Sequence, residues 1–187
     1  MQTSNIYLYA LIAVLLSLPT HLGAQQYSRT VEENFPRQVY FGDLHLHSRA
    51  SADAYTMGNV TLTPADAYRF ASGEELSSSS GLPAKLRRPL DFLAVTDHAE
   101  FLGILSAFAE RNPILMESQL GKRWSGLSTV ELFDDFVASL TNPDLIRDDV
   151  PDALEKTIWE EMTRAADTYY QPGKFTTFLA YEWTSAS

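Results

Sequence analysis

The sequence predicts an α/β fold with parallel strands, on three observations. Short apolar runs of strand character alternate with stretches of helical periodicity. The second run, Leu90-Asp91-Phe92-Leu93-Ala94-Val95-Thr96, is almost continuously apolar, as a strand covered on both faces must be. Each of the three runs ends in ionisable side chains, and parallel strands bring their carboxyl ends together at one place.

The elements follow in order. Residues 1–24 carry no charge, and Ile6 to Pro19 is nearly all apolar, with Leu22-Gly23-Ala24 before Gln25. This reads as a secretory signal peptide, with an uncleaved anchor as the rival. The apolar core falls short of the roughly 20 residues of a spanning helix, which favours cleavage and export to the periplasm or the medium with no stable membrane span. Residues 25–36 form an irregular lead-in to a domain over 25–187. The first strand covers Gln38 to His47. Side chains two apart share a strand face, so Val39 and Phe41 give that face an apolar lower part, and Asp43, His45 and His47 follow on it. Ser48 to Val60 is a polar loop containing Asp53.

Thr63-Pro64-Ala65-Asp66 is a helix start: Thr63 caps, Pro64 suits the first turn and Asp66 answers the cap. That helix ends near Ser72, before Gly73. Residues 73–89, with Ser77 to Ser80, Gly81 and Pro83, read as a solvated connection. The second strand ends in Asp97-His98. Ala99 to Tyr170 is mostly helical. Ser128-x-x-Glu131 is a second capping box, followed by Leu132, Phe133, Phe136, Val137 and Leu140 at helical spacing. Pro151 opens another helix, whose stripe of Leu154, Ile158, Met162 and Ala165, with Trp159, is core packing. Pro172-Gly173 stops it. The third strand spans Phe175 to Trp183, with Phe178, Ala180 and Glu182 on one face. A closed parallel barrel needs about eight strands, so the chain reads as the front part of a longer domain or as a truncated one.

Composition narrows the chemistry. The 187 residues carry a net charge of −10, which excludes a basic nucleic-acid surface. It leaves room for a small anionic substrate, because a bound cation inverts the local field. With no cysteine, disulfides and thiolate ligands are excluded. A metal here is held by His, Asp and Glu, a donor set that suits Zn, Mn or Fe. The acidic residues Asp134, Asp135, Asp144, Asp148, Asp149 and Asp152 read as a solvated face. Glu100, Arg49 and Tyr55 lie near the predicted mouth, where a solvated role competes with a substrate contact.

His45-x-His47 alone is as often structural as ligating. Together, Asp43/His45/His47, Asp97/His98 and Glu182 place metal-ligand types at the ends of all three strands. Asp43 and Asp97 each neighbour a histidine that they can orient through its second ring nitrogen, or they can cap a turn or helix.

Gly42-Asp43-Leu44-His45-Leu46-His47-Ser48, Ala94-Val95-Thr96-Asp97-His98 and Ala180-Tyr181-Glu182-Trp183-Thr184 resemble, in this order, the PHP (polymerase and histidinol phosphatase) superfamily, most closely its DUF3604 branch. The resemblance covers residues 38–185. It implies the N-terminal part of a distorted (β/α)7, TIM-like barrel holding two or three divalent metals and hydrolysing phosphoesters with metal-activated water. Carried over by position, His45 and His47 bind a first metal, Asp53 and His98 are further ligands, and Glu182 bridges two metals. The superfamily's later ligands, further histidines and a closing Asp-x-His, have no counterpart among these residues. Two rivals stand beside this expectation. One is an amidohydrolase-like enzyme acting on C–N bonds, whose first strand also carries His-x-His. The other is a non-catalytic fragment with an open sheet edge.

Overall fold

A computed structural model describes residues 38–142 and 149–183. The predicted signal segment, the lead-in at 25–36, Asp144, Asp148 and Thr184 lie outside the described residues. All elements below belong to the unit Val39–Ser187.

The chain is mixed α/β, with a small parallel sheet and several helices. Strand β1 (Gly42–Leu46) is followed by the short helix α1 (Ala52–Thr56) and by α2 (Pro64–Ala71). Two short strands, β2 (Leu76–Ser77) and β3 (Pro83–Ala84), pair antiparallel and lead to β4 (Phe92–Val95). Helices α3 (Ile104–Ala109), α4 (Pro113–Glu117), α5 (Gln119–Ser125), α6 (Thr129–Thr141) and α7 (Asp152–Tyr169) precede β5 (Thr176–Leu179). The main sheet has the order β1-β4-β5, with both pairings parallel. Among the described residues no helix is long and apolar enough to cross a membrane.

Local chemistry accounts for most boundaries. Thr63 and Asp66 form the expected capping box of α2: the Asp66 N–H donates to Thr63 Oγ1, and the Thr63 N–H donates to Asp66 Oδ2. Past the end of α2, Gly73 takes φ 93°, a conformation that favours glycine, and a Cβ there would sit 2.9 Å from the Pro89 ring. Ser128 and Glu131 repeat the capping box at α6. At the start of β1, Gly42 lies so close to β4 that a Cβ would run into Phe92.

The core has two parts. One joins the sheet to α2 and α7 through Tyr68, Leu93, Val95, Met162, Ala165 and Phe175. The other fills the helical layer with Ile104, Leu115, Leu120, Trp124, Phe136 and Leu154. Ile158 packs against both, so α7 fastens the layer to the sheet. The expected α7 stripe is therefore core, and β4 is the covered strand that its sequence predicts, with Leu93, Ala94 and Val95 all buried.

Four expectations are corrected. The first strand is shorter than Gln38–His47, with Val39 and Phe41 exposed ahead of it and Leu44 exposed within it. The solvated connection at 73–89 contains the β2–β3 hairpin. In α6 only Phe136 of the apolar stripe is fully buried, since Phe133, Val137 and Leu140 stay exposed on the outside of the helical layer. The acidic face is partly structural: Asp135 accepts from Trp124 Nε1 at 2.8 Å and from Arg123 Nη2 at 3.1 Å, while Arg123 Nη1 donates to Asp149 at 2.9 Å.

Removing the α2 cap hydroxyl in Thr63→Ala should cost about 1 kcal/mol in urea unfolding at neutral pH. The Asp66 carboxyl is raised by burial but lowered more by Thr63 and by Arg69, and its net direction is down. A depressed folded pKa gives stability that is present above the unfolded pKa and lost as pH falls through the folded one. The stability gap between wild type and Asp66→Asn should therefore close on acidification through the carboxylate range.

Candidate metal centre

The three strand ends meet through register. Parallel pairing aligns Val95 with Leu179, and the ladder resumes beyond the strands as a parallel bridge between His98 and Glu182. In it the Ala99 N–H donates to the Glu182 carbonyl at 2.8 Å, and the Glu182 N–H donates to the Asp97 carbonyl at 3.1 Å. The backbone thereby fixes Glu182 beside His98. On the other side, β1 pairs with β4, with a register shift between Asp43 and Leu46. Three residues of β1 advance there while β4 advances two, which is a bulge. A bulge re-aims the side chains beyond it, and here it separates Asp43 from the two histidines.

The histidines converge. His45 Nε2 lies 2.9 Å and His47 Nε2 2.8 Å from the same oxygen, Glu182 Oε2. The other His47 nitrogen, Nδ1, lies 3.0 and 2.9 Å from the two oxygens of Asp53. His98 Nε2 is 3.7 Å from Asp53 Oδ2, and the rings of His47 and His98 are 4.9 Å apart. Among the described residues, two groups of donor atoms lie close enough that they could hold a metal ion: His45, His47 and Glu182, and His47, Asp53 and His98. The side chain of His45 is 70% exposed and that of His47 only 14%, so the site is open on the His45 side and anchored at His47.

Electrostatics follows from these contacts. Partial burial pulls the Glu182 carboxyl up, but the hydrogen bonds from His45 and His47 and the nearby His98 outweigh it, and the net direction is down. Asp53 behaves likewise: desolvation raises its carboxyl, while Ser51, His47 and the Ala54 N–H bring it below the ordinary value. Both carboxylates are thus held in the ionised form that binds cations.

Asp97 is different. It is fully buried and accepts from the Ser48 N–H at 2.5 Å and from Ser48 Oγ at 2.7 Å. Burial pushes its carboxyl up, and the Ser48 hydrogen bonds only partly oppose this. Asp97 touches the backbone immediately after His47 and so positions the loop that carries it. Asp43 accepts from the backbone N–H of His45 at 2.9 Å, which supports the bulge through the main chain. Arg49 pairs with Glu110 at 2.6 Å, and Tyr55 lies half-buried on α1.

A family model, described as protein of unknown function (DUF3604), matches residues 34–187. The chain belongs to the DUF3604 family. No curated protein and no solved structure matches it. The matched span includes every donor of this DUF3604 site.

Sequence reasoning passed over two serines. Buried Ser51 donates to Asp53 Oδ1 and accepts the His98 N–H at 3.2 Å, so one hydroxyl ties the loop after β1 to the end of β4. Ser48 does the same through Asp97. Their signal was only their place, between His47 and Asp53 in a polar loop. Asp97→Ala would strand the buried Ser48 N–H and should cost about 1–3 kcal/mol in denaturant unfolding. Ser48→Ala keeps that N–H bond and should cost less.

Proposed function

We propose that this DUF3604 chain is an exported, metal-dependent hydrolase domain of PHP type that cleaves phosphoesters. The observation that carries the reading is the convergence of His45 Nε2 and His47 Nε2 on Glu182 Oε2, with Asp53 and His98 alongside. The donor set fits the group it implies. Imidazole nitrogens and ionised carboxylates are ligands for Zn, Mn or Fe, and the descending pKa of Glu182 and of Asp53 keeps them ready to bind.

His45, His47 and Glu182 would hold one metal. A neutral imidazole has one free lone pair, so His47 serves one metal at a time. With Nε2 so engaged, its Nδ1–H donates to Asp53, which fixes ring and tautomer. Asp53 and His98 would be the donors toward a second metal. A divalent cation held there supplies Lewis acidity, acidifying a water toward neutrality and drawing charge from phosphoryl oxygens. The chain's own part is to orient the imidazoles, through Asp53 on the ring of His47 and through Asp97 and Ser48 on the loop. The exposed flank at His45 admits a small anionic substrate that the metal's charge attracts against the −10 of the chain. The PHP-type barrel, truncated or not, is part of this proposal, and the order β1-β4-β5 with its parallel pairings is the geometry that supports it.

The protein refolded or purified with Zn, Mn or Fe should retain at least one metal per chain by elemental analysis and hydrolyse a generic phosphomonoester. His45→Ala and His47→Ala should each lower metal retention and cut kcat/KM by about 100-fold or more, beyond the range seen when outer-sphere partners are removed. Full activity in those variants would end the assignment. Turnover of amides in place of phosphoesters would move the chain to the C–N hydrolase reading.

A further inference from the structure

We propose that the pocket between α1 and α6 receives an apolar substituent of the substrate, so that the substrate is an aryl or branched-alkyl phosphomonoester with no second anionic group. This rests on the phosphoesterase reading above and specifies its substrate class. The pocket holds about 260 Å³ and is walled by Ala52 and Thr56 on α1, by Phe101, and by Phe136 and Leu140 on α6. Its remaining lining is Asp53, His98 and Glu100. Asp53 and His98 are also donors of the candidate metal centre, so the pocket and the centre share a wall. A phosphoryl group bound at the centre would have this pocket within reach of its ester oxygen.

Size, surface and charge define the occupant. A cavity of about 150 Å³ lined by Leu, Ile and Phe is enough for benzene, so this pocket takes a ring with a small substituent. Its apolar walls are set before binding: Phe101 and Phe136 are buried and lie edge to face with centroids 5.8 Å apart. A preformed wall spares the ligand the cost of ordering it. Thr56 offers no spare proton, since its hydroxyl shares its one hydrogen between the carbonyls of Ala52 and Asp53, each at 3.0 Å. The polar groups are the imidazole of His98 and two carboxylates, Asp53 and Glu100. A second phosphate or a carboxylate on the substrate would face Glu100, the lining carboxylate outside the donor groups, in a partly desolvated space, which disfavours bisphosphates and nucleotides.

The test uses the metal-loaded protein with phenylphosphonate and methylphosphonate, which share a head group and resist hydrolysis. Calorimetric titration should show phenylphosphonate binding about tenfold tighter or more, the usual worth of a filled apolar pocket. Leu140→Trp and Thr56→Phe fill the pocket from opposite walls at exposed positions and should each bring the ratio toward one. A ratio near one in the wild type, or a ratio unchanged in both variants, overturns the proposal. Phenyl phosphate and methyl phosphate separate it from the reading beneath it. Preference for the phenyl ligand with neither ester hydrolysed leaves the pocket standing and removes the phosphoesterase reading. Hydrolysis of both esters at equal kcat/KM does the reverse, and absence of both binding and turnover overturns both.

Discussion

The site depends on one backbone contact, the parallel bridge between His98 and Glu182. A carboxylate can collect two imidazoles only if its Cα is held beside them, and side-chain attraction alone would not supply that placement against the entropy of an ordered loop. The bridge supplies it through two main-chain hydrogen bonds that continue the β4–β5 ladder past the last regular pair. Everything else about the centre is adjustment around that point. The bulge in β1 falls in the stretch that carries His45, and Asp97 with Ser48 holds the loop that follows.

The carboxylates divide into two kinds by burial and partners. Glu182 and Asp53 face imidazoles and stay ionised, while Asp97 is enclosed and pushed the other way. Glu182 and Asp53 keep their charge beside the imidazoles, whereas both oxygens of Asp97 are engaged by the Ser48 N–H and hydroxyl. Those bonds turn Asp97, adjacent in sequence to His98, toward Ser48, and it does not join the donor groups.

Much of this was readable in the sequence. The unbroken apolar run of β4 and both capping boxes rest on chemistry local to a few residues, and the structure keeps them, while His45 and His47 come together on Glu182 without the regular strand alternation that the sequence predicts. What was not readable depends on partners distant in the chain. The bulge arises where β1 meets β4 and breaks the strand parity by which the sequence groups Asp43 with the histidines. The Arg123 cluster makes structural residues of Asp135 and Asp149, which from the sequence alone looked like a solvated run. Val39 and Phe41 precede β1 and stay exposed, because the strand begins later than the alternating pattern implies.

The helical layer adds a further constraint. A parallel crossover from β4 to β5 requires only a dozen or so residues, and α7 alone packs on the sheet in that role. Helices α3 to α6 are therefore additional to what the topology needs, and they have their own core, joined to the sheet's through Ile158. Because that core also sets Phe101 and Phe136 against the donors at Asp53 and His98, the layer shapes what lies next to the centre without supplying its register. Donor placement and pocket shape thus rest on separate sets of contacts, the β ladder for one and the helical core for the other. Packing changes within the layer can alter the pocket while the bridge between His98 and Glu182 stays in place.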